Sequence, residues 1–383
     1  MARPVTLLHT ADVHLGASFP YLGPRGTDHR RQVVETFRQV VEEALARRVD
    51  LFLVAGDLFD STAPSRTSVE FALAALRRLG EAGIPVVVVP GNHDHDGPEA
   101  VWRLVPFEED VPGLRLLLGE GVVERTLPAL GLTVVARPTT TTTSPESPLR
   151  GVSGAGREGL VVGIAHGSVA GGEGFGTGDF PITPEAIASS GLHYLALGHW
   201  HKPADHSRGG VTAWYCGSPE VLHPADVGAG RVLLVTVDEG GTVVEPLAVG
   251  RCRAESITLS VEDHPEVASL EAAVRPWANP DLLLDVTLSG LKPLEGAWTA
   301  ETLEEVEAIL APQFYFLRIT DRAQARLDAE ALGRHPEVTV AGRFVRLMAR
   351  RLEEAEGEEE RRCVEEALQV GLALLEGREE VLG

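Results

Sequence analysis

Leu51-Phe52-Leu53-Val54-Ala55-Gly56-Asp57-Leu58-Phe59-Asp60 is an apolar run that breaks at glycine and leaves two carboxylates three residues apart. Five successive apolar positions read as a strand covered on both faces, the habit of a parallel sheet. The carboxylates fall just past its end, where side chains leave the sheet and loops can converge on one crevice. The same pattern recurs on either side. Upstream, the strand-like 5–11 leads into Asp12-Val13-His14; downstream, 85–90 leads into Gly91-Asn92-His93-Asp94. Amphipathic stretches at 30–48 and 65–82 separate these strands and read as helices, so the first half is an α/β core.

Working outward, further strands are predicted at 160–165, 194–197 and 212–215, with a hairpin over 231–249 that turns at Asp238-Glu239-Gly240-Gly241. Beyond 251 the pattern becomes strand (256–260), helix (265–277), strand (282–288), helix (300–310) and strand (314–320). A helical segment follows over 338–377, with the charge run 353–362 set between two helices. The expected organisation is a main domain at 1–250, a small α/β domain at 251–330 and a helical C-terminal segment at 331–383. Two stretches, the Thr/Ser/Pro tract 139–148 and the glycine-rich 171–178, read as mobile surface loops.

Composition narrows the function classes. With 383 residues and 44% hydrophobic content, the chain can bury a sizeable core. Neither a charged-then-apolar leader nor an apolar run of spanning length is found, so no membrane association is expected and the cytoplasm is the expected compartment. The three cysteines, Cys216, Cys252 and Cys363, are odd in number and widely spaced, which argues against a disulfide framework or a thiolate zinc site. A net charge of −22 opposes phosphate binding by the chain as a whole. Bound divalent cations would offset it inside a cleft, and a basic partner or a homodimer could do so over a longer track.

Two more strand ends carry histidine: Ala165-His166-Gly167 and Gly198-His199-Trp200-His201. A lone Asp-x-His or His-x-His is usually a surface turn. Five such elements in order offer imidazole, carboxylate and carboxamide donors suited to two divalent ions. His95, Asp96, His193 and His206 are read as loop or structural residues.

This ordered set (Asp-x-His, Gly-Asp-x-x-Asp, Gly-Asn-His-Asp, a later histidine and Gly-His-x-His) resembles the signature of the calcineurin-like metallophosphoesterases. Asp12 to Gly16, Gly56 to Asp60 and Gly91 to His95 look most like bacterial SbcD and its YhaO-type relatives, kin of the archaeal and eukaryotic double-strand-break repair nuclease. The resemblance implies a β-sandwich flanked by helices, followed by a capping domain that the 251–330 segment matches loosely. It implies that Asp12, His14 and His201 hold one ion and Asn92, His166 and His199 the other, with Asp57 as the bridge. Ions roughly 3.5 to 4 Å apart can lower the pKa of a shared water and clamp phosphate oxygens during in-line attack. His93 would protonate the leaving oxygen. Asp60 would orient His93, with Asp94 the competing candidate. Tyr215, Gly217 and Ser218 match a Tyr-x-Gly-Ser segment that borders the substrate. The implied metal is manganese, with iron and zinc also suited to such ligands.

The function so implied is a metal-dependent DNA nuclease, exonuclease or endonuclease, acting in DNA repair with an SMC-like ATPase of SbcC or YhaN type. The face of Phe344, Val345, Leu347, Met348 and Leu352 is the expected dock for that ATPase. Two alternatives stay open from the residues alone. One is a phosphodiesterase or phosphatase acting on small nucleotides or phosphoproteins, which the negative charge favours; the other is a non-catalytic subunit with structural metals.

Overall fold

The computed structural model describes residues 3–170, 178–264, 266–293, 299–326, 336–355 and 357–375. The chain divides into two compact units, Met1–Glu255 and Ser256–Gly383.

The strands of the first unit are, in order, β1 (Val5–Thr10), β2 (Leu51–Ala55), β3 (Val86–Val89), β4 (Leu114–Leu116), β5 (Val123–Leu127), β6 (Leu132–Ala136), β7 (Leu160–His166), β8 (Tyr194–Gly198), β9 (Ala204–Asp205), β10 (Thr212–Tyr215), β11 (Arg231–Asp238) and β12 (Gly241–Ala248). They form two six-stranded sheets, ordered β12-β11-β1-β2-β3-β4 and β5-β6-β7-β8-β10-β9. β1, β2, β3 and β4 run parallel, as do β6, β7, β8 and β10, so the carboxyl ends of the central strands point one way within each sheet. The predicted hairpin is β11 paired antiparallel with β12, Asp238 opposite Gly241.

Burial follows from alternation along the strands. Leu51, Leu53 and Ala55 of β2 join Val87, Val89, Val134, Val162, Ala196 and Val235 in one core drawn from both sheets. That core is the filling of a sandwich. Phe52 and Val54, on the other face of β2, are equally buried. Two helices supply apolar stripes in this unit: α1 (Gly26–Arg47), through Val33, Phe37, Val40 and Val41, and α2 (Arg66–Glu81), through Ala72, Leu76 and Leu79. α2 starts at the N-cap Ser65, whose hydroxyl accepts from the Ser68 N–H. The outer face of the second sheet packs Val135, Val161, Leu195, Leu197 and Tyr215 against Ile182, Ile187 and Leu192.

In this unit the sequence reading misses β4, β5, β6 and the two-residue β9. β5, Val-Glu-Arg-Thr-Leu, is an edge strand whose residues are all at least partly exposed, so no apolar run marks it. The 139–148 tract differs from the expected mobile loop: Thr139 is 3% exposed, its carbonyl accepts from the Asp96 N–H, and the Ser144 N–H is bonded to the Gly178 carbonyl. Residues 171–177 of the glycine-rich stretch lie outside the described residues.

The boundary falls within β13 (Arg253–Ser260), after which the second unit continues with α3 (Val267–Val274), β14 (Leu282–Ser289), β15 (Leu291–Pro293), α4 (Ala300–Leu310), β16 (Phe316–Asp321) and β17 (Gln324–Arg326). β13, β14 and β16 form a three-stranded sheet, and β15 pairs with β17. Leu270, Val274, Leu303, Val306 and Leu310 of the two helices close over Leu284, Val286 and Leu317. Two helices end the unit, α5 (Val340–Glu354) and α6 (Glu358–Leu375). Two expectations fail here. The charge run does not separate the helices, because its residues 358–362 already form the start of α6. The face meant for a partner is also largely covered from within the chain, since Val345 and Met348 are buried with Leu368 and Leu372 of α6, and Phe344 and Leu352 are packed against them. Only Leu347 of the five is exposed, at 54%. An amphipathic helix with a second one just behind it in the chain finds its cover there. Among the described residues no helix is long and apolar enough to cross a membrane.

Candidate metal centre

Five strand ends converge. Asp12 lies two residues past β1, Asp57 two past β2 and Asn92 three past β3, while His166 ends β7 and His199 follows β8. Backbone bonds tie the first two loops: Asp12 N–H to Gly56 O at 3.1 Å, His14 N–H to Asp57 O at 3.0 Å and Leu15 N–H to Leu58 O at 2.9 Å. Asp12, His14, Asp57 and His199 all have positive φ (52°, 51°, 49° and 107°). Such backbone is costly for residues with a Cβ, and it persists where packing around it over-determines the position. The glycines of the motifs are there because neighbours press on them. A Cβ on Gly56 would stand 2.1 Å from Nδ1 of His166, and one on Gly91 would stand 2.1 Å from a carboxylate oxygen of Asp57.

The cluster centres on Asp57, which is 2% exposed. Its Oδ2 lies 3.6 Å from Nε2 of His14 and 3.1 Å from Nε2 of His166, between the two sets of ligands that the motifs suggest. Donor atoms of Asp12, His14 and His201 lie within 4.8 Å of one another, as do those of Asp12, Asp57 and His166. Asn92 Oδ1 is 2.9 Å from His166 Nε2 and 3.0 Å from His199 Nδ1. All seven proposed ligands are thus brought into one cluster, with Asp12 close to both sets.

The outer nitrogens are held by other groups, which orients the rings. His14 Nδ1 meets Asp60 at 3.0 Å, His166 Nδ1 meets the Ala55 carbonyl at 2.9 Å, His199 Nε2 meets Asp179 at 2.8 Å and His201 Nδ1 meets Asp226 at 3.1 Å. Asp179 also accepts from the Ser168 hydroxyl, whose oxygen in turn takes the indole N–H of Trp200 at 3.0 Å. Asp179 and Asp226 were not legible as site residues, since neither sits at a strand end or in a motif; proximity in the fold is their only signal.

Three expectations change in detail. The Asp60 carboxylate reaches His14 Nδ1 at 3.0 Å and stands 3.8 Å from His93 Nδ1, which lies 3.3 Å from the Asp60 carbonyl, so the closer partner of the carboxylate is His14. Asp94 does not compete for that role. Fully buried, its carboxylate accepts from the Phe59 N–H at 3.1 Å and the Gly91 N–H at 2.7 Å, which braces one motif loop against the other. Tyr215, Gly217 and Ser218, expected beside the substrate, are buried. The Tyr215 hydroxyl donates to Gly167 O at 2.5 Å and accepts from the Val169 N–H at 3.0 Å. A Cβ on Gly217 would crowd the His201 carbonyl at 2.6 Å, and that carbonyl accepts from the Ser218 N–H at 3.0 Å. The segment shapes the seats of His166 and His201.

Electrostatics fit a cation. Asp12 and Asp57 are buried and, among the described residues, neither is paired with Lys or Arg. Burial favours the neutral acid at Asp57, but His166, then His14 and His93, outweigh it and hold the carboxyl well below its usual range. Burial opposes a charge on His166 too, yet Asp57 beside it pushes that imidazole up to about 9. His201 is raised, burial being overcome by Asp226, whereas burial and then His166 lower His199. Asp94 is pushed up to about 7 by burial and by Asp57. Nε2 of His14 is buried with no hydrogen-bond partner. An orphaned imidazole nitrogen beside buried carboxylates that no Lys or Arg neutralises is what a divalent ion would satisfy. His93 differs from the rest: 46% of its side chain is exposed, and its ring packs edge-on against His14 at 4.6 Å.

Residues 5–203 match the family model for the calcineurin-like phosphoesterase. The chain belongs to this family. YhaO of Bacillus subtilis, an uncharacterized metallophosphoesterase, is 29% identical over 257 residues, 63% of this chain and 59% of its own length. The DNA double-strand break repair protein Mre11 of Aeropyrum pernix is 28% identical over 325 residues, 76% of this chain and 75% of that one. One of the subunits of the nuclease SbcCD from Rhodobacter capsulatus is 29% identical over 329 residues, 72% of this chain and 76% of that one. The chain therefore spans well under two thirds of YhaO and about three quarters of the other two relatives. Membership makes the chain a metallophosphoesterase-family hydrolase whose clustered residues are able to hold metal ions.

Proposed function

We propose that this chain is a metal-dependent nuclease that cuts DNA phosphodiesters, and that it works with an SMC-like ATPase in DNA repair. The observation that carries the reading is the Asp57 cluster, in which carboxylates, imidazoles and a carboxamide meet around an unsatisfied His14 nitrogen. Asp12, His14 and His201 would hold one divalent ion, Asn92, His166 and His199 a second, and Asp57 both; manganese fits these ligands, as do iron and zinc. Bound there, the ions supply an activated water and neutralise the phosphate. The half-exposed His93 is the proton donor to the leaving oxygen, and its backbone N–H, bonded to Asp57 at 2.9 Å, keeps it beside the ligands. DNA as the substrate and the ATPase as the partner rest on the likeness to the SbcCD nuclease chain and to Mre11 across about three quarters of those proteins.

The net charge of −22 favours a second reading, hydrolysis of a small phosphodiester. Incubating the purified chain with Mn2+ and either linear duplex DNA or bis(p-nitrophenyl) phosphate separates the two. The nuclease reading expects DNA to be degraded and degradation to stop with chelator. Rapid turnover of the small ester with intact DNA would support the second reading, and no turnover of either would support a non-catalytic subunit.

A further inference from the structure

We propose that Asp226 is a positioning residue for the metal centre: by holding Nδ1 of His201 it directs Nε2 of that ring to the Asp12–His14 side and so sets the affinity of that half of the centre for a divalent cation. The inference rests on the two-cation reading above and adds a residue to it that no motif contains.

The geometry is that of a fixed acceptor. Asp226 Oδ2 lies 3.1 Å from His201 Nδ1 and also accepts from the His223 N–H at 2.9 Å. The Asp226 N–H returns to His223 O at 2.9 Å, and the Ala229 N–H closes on Asp226 O at 3.0 Å, so the carboxylate belongs to a tight turn with little freedom. The segment carrying the turn is pinned at its base: Ser218 N–H bonds His201 O at 3.0 Å, and Gly230 N–H bonds Ser218 O at 2.9 Å. His201 is therefore gripped at its carbonyl and at its ring. An ionised carboxylate can only accept, which obliges Nδ1 to carry the hydrogen and leaves the lone pair on Nε2. That nitrogen is the one left for the cluster with Asp12 and His14, whose ring centroid is 5.3 Å away. Carboxylate backing also makes the imidazole a stronger donor than a backbone carbonyl would, as at His166. Asp226 is 9% exposed, so water competes little for the bond.

The test uses the full chain and Mn2+ in competition with a chelator. Asp226→Asn keeps the size of the side chain but removes its obligatory acceptor character. It should weaken one of two ions by about 10- to 100-fold and leave the other at parental affinity. Nitrogen-15 spectra of the metal-free protein should show one imidazole, identified by its loss in His201→Gln, leaving the Nδ1-protonated form. The thermal midpoint of the metal-free variant should match the parent. Unchanged affinity for both ions would overturn the proposal. So would equal weakening of both together with a lowered metal-free midpoint, which would make Asp226 a structural loop residue. A parental chain that binds no second ion would overturn the two-cation reading, and this inference with it, before any variant is compared.

Discussion

His93 separates from its neighbours by exposure: the imidazoles proposed as ligands are sunk among carboxylates, whereas 46% of its side chain is open to solvent. A residue that donates a proton to substrate needs that access and need not hold an ion. His93→Ala is therefore expected to keep both ions by elemental analysis while turnover falls by about 10²- to 10⁴-fold. Loss of an ion in that variant would make His93 a ligand instead. Asp57→Ala should disturb both ions and Asp12→Ala chiefly one; equal losses would remove the reason to treat Asp57 as the bridge. The same residues fix the pH response. His166 titrates at about 9 in the folded, metal-free chain against 6.5 ordinarily, so its stabilisation is complete below pH 6.5 and is lost as pH rises through 9. Asp57, held below its ordinary 3.8, contributes above that pH and loses the contribution under acid. Asp94, raised from 3.8 to about 7, adds a cost as pH climbs through that range. The difference in denaturant midpoint between the chelator-treated parent and His166→Gln should consequently be larger at pH 5.5 than at pH 8.5, a comparison in which the opposing contribution of the histidines that burial lowers, such as His9 and His29, cancels. With Mn2+ the order should reverse, because cations require deprotonated imidazoles. A metal-free difference that is larger at pH 8.5 would contradict the assigned Asp57–His166 pair.

Among elements, the parallel strands β1, β2, β3, β7 and β8 were legible because buried runs such as Leu51–Ala55 and Val86–Val89 carry no polar residue, and their ends could be read as a site because each run breaks into Asp, Asn or His, a signal that the parallel strands β4 and β6 lack. The edge strand β5 was not legible, since a partly solvated strand shows no such run. Nor were Asp179 and Asp226, which stand 20 and 25 residues from His199 and His201 in sequence and meet them only once the intervening chain has folded back. Asp94 was legible as a motif residue but not in its role. What it does is join two strand-end loops, and its removal strands the buried N–H groups of Phe59 and Gly91. Each such group costs about 1–3 kcal/mol when left unsatisfied. Asp94→Ala should thus lower the denaturation free energy of the metal-free chain by a few kcal/mol and weaken metal binding as a secondary effect. A variant with parental stability would show that water or a shifted loop replaces the brace.

For the whole molecule, the C-terminal stripe shows where periodicity stops being informative: it marks which face of α5 is covered, and α6 rather than a partner supplies most of the cover. The acidic net charge has a clearer reading now that Asp12 and Asp57 lie buried with no Lys or Arg paired to them among the described residues, because cations at that point would reverse the local sign of a surface that is otherwise repulsive to phosphate. Everything that the proposed chemistry uses, from Asp12 to Asp226, lies in the unit Met1–Glu255, together with both six-stranded sheets and the core between them. A chain of that length buries enough surface to fold alone. Residues past 250 are still needed at its end, because the buried Glu220 accepts from the backbone N–H groups of Arg251 and Cys252, both at 3.0 Å. A fragment ending at Glu255 should therefore unfold in one cooperative transition, bind two Mn2+ ions by elemental analysis and turn over bis(p-nitrophenyl) phosphate at a rate within a few-fold of the full chain. Its action on DNA should fall further than its action on the small ester if the second unit helps hold the polymer. Equal losses on both substrates with metals intact would assign the second unit to the chemistry, and a fragment that binds no metal would show that the first unit does not form its site unaided.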